Sequence, residues 1–111
     1  MGRSTEYLAA ALRGGHSVRA SVAGMSMWPV LSPGDVVEVE PLRGTGVPRP
    51  GDIVAIREEA GVVVHRLIHA AAGRAVTWGD NATAGDPPRR PGDILGIVRP
   101  RAPRKVLPWL R

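Results

Sequence analysis

The chain contains no cysteine, which removes disulfides, thiolate metal sites and thiol nucleophiles together. Whatever fold it adopts holds without covalent staples. Lysine is nearly as scarce: of fifteen basic residues fourteen are arginine, and the single lysine, Lys105, lies close to the C-terminus. Long apolar runs are missing too. The longest, Tyr7 to Leu12, is far below the roughly 20 residues that span a bilayer, and no apolar segment with a cleavage site opens the chain. A cytoplasmic location is the default expectation.

At 111 residues the chain is sized for one domain with a single core. Its net charge of +5 favours anionic partners in principle. The arginines are dispersed, however, with only a modest cluster at Arg99, Arg101, Arg104, Lys105 and Arg111. Dispersed charge reads as solvated faces, so sequence-specific nucleic-acid binding is not expected.

Thr5 is placed to cap a short helix running to about Arg13, with Tyr7, Leu8, Ala11 and Leu12 on one side and Gly14-Gly15 as its stop. Alternation then predicts strands. Val18, Ala20 and Val22 share one face of residues 17–23, and Val37 and Val39 oppose Glu38 and Glu40. Further strands follow at 53–57, 61–69, 74–78 and 94–99, with glycine and proline almost wholly between them. The few residues Glu58-Glu59-Ala60-Gly61 predict a hairpin that delivers His65. The expected organisation is a mainly β domain over residues 1–111: an N-terminal helix within 1–15, a β core over 16–100 and a basic tail over 101–111.

Four blocks carry the chemistry. Ser26-Met27-Trp28-Pro29 puts a hydroxyl on a short turn between two strand-like runs, where a nucleophile would be held. Gly51-Asp52-Ile53-Val54, Val64-His65-Arg66-Leu67 and Thr77-Trp78-Gly79-Asp80-Asn81 follow in order, with Asp86 beyond. In order and spacing these blocks resemble the signal peptidase I superfamily, which includes the self-cleaving domain of the LexA repressor, over roughly residues 17 to 99. Val22 to Met27 is similar to the LexA side. His65-Arg66 and Gly79-Asp80-Asn81 with Asp86 are similar to the endoplasmic-reticulum and archaeal signal peptidases.

The resemblance implies the compact coiled β-fold of that superfamily and a serine endopeptidase that matures a specific peptide or protein through an acyl-enzyme. A serine hydroxyl needs a base within hydrogen-bond reach. His65 falls at the position matching the family's base, and histidine suits general-base work near neutral pH without extreme burial. The matching triad carboxylate is Asp86, with Asp80 as a supporting residue; by themselves Gly-Asp-Asn would read as a turn and Asp86 as a residue held extended by Pro87. The backbone N–H of Ser26 is the natural oxyanion donor, while Gly24 stands where many signal peptidases carry a serine hydroxyl. Met27 and Trp28 either line the substrate groove or anchor the turn in the core.

No cofactor or metal is expected. His65 and His69 would lie roughly 13 Å apart along a strand, and His16 and His69 read as surface or strand-end residues. Membrane signal peptidases carry an anchor and LexA relatives a helix-turn-helix module, so neither secretory processing nor operator binding is the expected role. The partner is a peptide or protein substrate. Two alternatives stand beside the peptidase: a non-catalytic peptide-binding member of the same fold, and an adaptor for membrane surfaces or nucleic acid working through the tail. Arg101, Arg104, Lys105 and Arg111 beside Val106, Leu107, Trp109 and Leu110 suit weak contact with an anionic membrane surface. Packing of Trp109 and Leu110 onto the domain is the simpler expectation.

Overall fold

The computed structural model describes residues 3–42 and 48–101; the tail residues 102–111, on which the membrane-contact expectation falls, lie outside that range. Helix α1 (Arg3–Arg13) is followed by β1 (Val18–Ser21), β2 (Val36–Pro41), β3 (Ile53–Glu58), β4 (Gly61–Ala71), β5 (Arg74–Trp78) and β6 (Ile94–Pro100). All six strands form one antiparallel sheet in the order β1-β2-β6-β3-β4-β5. The mainly β expectation with a short N-terminal helix is met. No helix among the described residues is long and apolar enough to cross a membrane.

The helix begins before the predicted cap. Thr5 lies inside its first turn, 5% exposed, because its position on the packed side of α1 makes it part of the helix's inner face rather than its end. The C-terminal stop is as expected: Gly15 takes a φ of 85°. The amides of Gly15 and His16 then bond back to the carbonyls of Leu12 and Ala11 at 3.0 and 2.9 Å, satisfying groups the helix leaves open.

Proline, glycine and aspartate recur together before three strands: Ser32-Pro33-Gly34-Asp35 before β2, Arg49-Pro50-Gly51-Asp52 before β3 and Arg90-Pro91-Gly92-Asp93 before β6. In the first two the glycine is left-handed, with φ of 92° and 97°. The aspartate carboxylate then accepts the amide of the first turn residue, Ser32 at 2.8 Å and Arg49 at 2.9 Å. Proline presets φ and glycine supplies the positive one. The third copy makes a single 3₁₀ turn instead.

Strand β3 is central, and Val54, Ala55 and Ile56 are wholly buried, so both faces of the sheet are covered. One face packs Leu8 and Leu12 of α1 and Met27 and Leu31 of the following turn onto Val37, Val39, Ala55 and Val98. The opposite face gathers Val54, Ile56, Leu67, Ala75 and Ile94. A register shift in β6, where Ala55 faces Gly96 but Ile56 faces Ile94, lets Leu95 share the first cluster with Val98, three positions on, and leaves Ile94 in the second. The β3–β4 hairpin closes at Glu58 and Gly61 and sets His65 opposite Val54, as the sequence predicts.

Candidate active site

The Ser26 turn is anchored by its neighbour. Met27 is 1% exposed and sits in the core beside Leu31, while Ser26 itself is exposed. Bonds from the Trp28 amide to Met25 O and from the Leu31 amide to Met27 O, at 3.1 and 2.9 Å, wind the segment tightly. Burying Met27 fixes the turn against the core and leaves Ser26 at the surface.

Gly79-Asp80-Asn81, at the end of β5, clasps this turn. The Asn81 amide donates to Ser26 O at 2.9 Å and its side-chain nitrogen to Met25 O at 3.1 Å. The Asp80 amide reaches the Met27 sulfur at 3.4 Å. Gly79 is buried where the strands meet the turn. A Cβ there would stand 2.9 Å from the Ser26 main-chain carbonyl oxygen and 3.1 Å from His65 Nε2, so the Ser26 backbone and the His65 ring both lie close against this glycine.

The other imidazole nitrogen is held. His65 Nδ1 lies 2.6 Å from Asp86 Oδ2, with side chains 13% and 14% exposed. The same oxygen accepts the Thr77 hydroxyl at 2.5 Å and Arg89 Nη2 at 3.2 Å. Burial pushes the Asp86 carboxyl up, but the hydrogen bonds from Thr77, His65 and Arg89 outweigh it and hold it below its ordinary 3.8. The group is therefore a carboxylate at neutral pH and can only accept. It follows that His65 Nδ1 donates to it, so that in a neutral imidazole the lone pair is on Nε2, the nitrogen beside Gly79.

Asp80 has a different partner. Arg66 Nε and Nη2 donate to its two oxygens at 2.9 and 2.7 Å, and Arg66 Nη1 donates to Gly51 O at 2.8 Å. The Asp80 hydrogen bond raises the Arg66 guanidinium above its ordinary value, against the opposing effect of burial. This fork ties the turn before β3 to the Gly79–Asn81 clasp. Of the two candidate carboxylates, Asp86 is on His65 and Asp80 is a brace.

An apolar groove of about 700 Å³ runs from Ser26, walled by Ala20, Val22 and Gly24 on one side and by Val62 and Val64 of β4 on the other. Met27 lines it as well as anchoring the turn. Trp28 does not: it is 47% exposed and stands off the groove lining, because the turn that buries Met27 directs its neighbour to the outside. At Gly24 an added Cβ meets nothing within 4 Å. His16 and His69 are exposed, and no cluster of metal-ligating side chains occurs among the described residues.

Three side chains at the site were not singled out from sequence: Thr77, Arg89 and Glu58. Thr77 is fully buried on the same strand face as Ala75. A hydroxyl at a core-facing position is itself a sign of a buried partner. No protein-family model matches the chain, and no curated protein matches it either.

Proposed function

We propose that the chain is a serine endopeptidase with the fold and chemistry of the signal peptidase and LexA superfamily, using Ser26 as nucleophile, His65 as general base and Asp86 as the carboxylate that orients it. The supporting observation is that the Ser26 main chain and His65 Nε2 both lie against Gly79, while the other imidazole nitrogen is 2.6 Å from the Asp86 carboxylate. In the acylation step Nε2 takes the Ser26 proton as Oγ attacks the peptide carbonyl, and Asp86 stabilises the imidazolium that forms. The developing oxyanion is met by the Ser26 amide. Collapse breaks the C–N bond and Nε2 returns the proton to the leaving amine; a water deprotonated by the same nitrogen then attacks the ester, the acyl C–Oγ bond breaks, and that proton returns to Ser26 Oγ.

Among the described residues strand β1 pairs only with β2 and so presents a free edge beside the groove. An extended peptide added along that edge would gain main-chain hydrogen bonds and put alternate side chains into the apolar trough. The test is a peptide-library digestion followed by mass spectrometry. Cleavage at defined bonds that is lost in both Ser26→Ala and His65→Ala supports the assignment, and equal cleavage by purified Ser26→Ala refutes it.

A further inference from the structure

Asp86 is bound to β5 before it meets His65. Its amide donates to Thr77 O at 3.0 Å, and three residues on, Arg89 exchanges two main-chain bonds of 2.8 Å with Ala75. Pro87 and Pro88 between them fix the path and forgo no ladder bond. The Arg89 side chain, 12% exposed, then lies back along β5 toward Asp86. Its Nε donates to Thr77 Oγ1 at 2.9 Å, so the Thr77 proton is directed to Asp86 rather than elsewhere. Its Nη2 sits 3.2 Å from Asp86 and 2.6 Å from Glu58 Oε2 at the tip of β3.

A guanidinium this close to Asp86 has two opposing effects. It locks the carboxylate in place, and it neutralises the charge that an imidazolium on His65 needs. Glu58 resolves the conflict by drawing Arg89 from the far side. The row Asp86, Arg89, Glu58 then carries one net negative charge toward His65. Arg66 on β4 is turned to Asp80 and Gly51 and does not compete.

Resting on the peptidase reading, we infer that Arg89 and Glu58 are a positioning pair for the base: Arg89 pins Asp86 on His65, and Glu58 takes up the Arg89 charge so that Asp86 keeps its own for the imidazolium. Neither residue is among those lining the groove.

A double-mutant cycle of Glu58→Gln and Arg89→Gln tests this, read by the low-field proton resonance of the His65 Nδ1–H in the substrate-free protein at mildly acidic pH. His65→Ala identifies the signal. Glu58→Gln is expected to move the resonance up-field and to lower kcat about tenfold with KM unchanged. Because Glu58 acts through Arg89, it should have no further effect in the Arg89→Gln background. Glu58 is 37% exposed, so its substitution leaves a folded protein even where Arg89→Gln does not. An unmoved resonance in Glu58→Gln, or effects that add in the double variant, would overturn the pairing. The resonance needs no substrate, so it decides the inference even where the wild type cleaves no peptide, an outcome that would count against the peptidase reading alone.

Discussion

Replacing Gly79 by alanine perturbs Ser26 and His65 at once without removing an atom of either. The new Cβ would lie 2.9 Å from Ser26 O, 3.1 Å from His65 Nε2 and 3.3 Å from His65 Cδ2, where ordinary contact begins at 3.4 Å. One partner or both must retreat by about half an ångström. The Ser26 carbonyl is held by Asn81 and the imidazole by Asp86, so neither retreats freely. Displacements of this order between a nucleophile and its base cost about 10- to 100-fold in kcat, while overpacking at a buried site costs about 1–3 kcal/mol in stability. Steady-state kinetics on a cleaved peptide, with a thermal melt alongside, separates the two. Gly92→Ala is the control, because a Cβ there meets nothing within 4 Å, and it should leave both quantities unchanged. A folded Gly79→Ala protein with wild-type kcat would refute the placing of Ser26 and His65 against Gly79 as the source of activity.

Gly24→Ser adds a hydroxyl where the Cβ is unobstructed and where the proposed peptidase reading would put a second oxyanion donor; on that reading kcat is expected to rise about tenfold, and a fall measured in the same assay would contradict the placement. Asp86 has its carboxyl held below the ordinary 3.8 in the folded state, so its contribution to stability is complete above that value and is lost as pH falls through the lower folded one. Melts between neutral and strongly acidic pH should therefore show a loss in the wild type that is smaller in Asp86→Asn, and equal losses would contradict the sign. Ala72 occupies the left-handed region at φ 53° beside Gly73 in the β4–β5 turn, which costs an alanine about 1 kcal/mol. Ala72→Asn should raise the denaturation midpoint by about 0.5–1 kcal/mol of stability, and a lower midpoint would show that another contact governs the turn.

The sheet was legible because its strands alternate. Val37 and Val39 against Glu38 and Glu40, and the short loop at Glu59-Ala60, dictate local geometry that the tertiary fold has no reason to override. Ser26, His65 and Asp86 were legible as residue types in a familiar order. What brings them together was not, since it depends on contacts far apart in the chain: Gly79 matters through the Cβ it lacks, and Arg89 through Glu58, 31 positions away along the sequence. Thr5 misled because a threonine before a helical pattern looks the same whether it caps the helix or packs inside its first turn. The three Pro-Gly-Asp turns were visible in the sequence, but their common role as strand starters emerges only when the strands following them are known. Trp28 and Met27 are adjacent and both apolar, and only the winding of the turn decides which one is buried.

The most direct measurement of the central claim is the intact mass of the protein mixed with an activated peptide ester and quenched within the first turnover. A Ser26 nucleophile activated by His65 predicts a mass increase equal to one acyl group, mapped by digestion to Ser26, present in the wild type and absent from both Ser26→Ala and His65→Ala. An unmodified wild-type protein after ester hydrolysis, or an acyl group that maps to another residue, would contradict it.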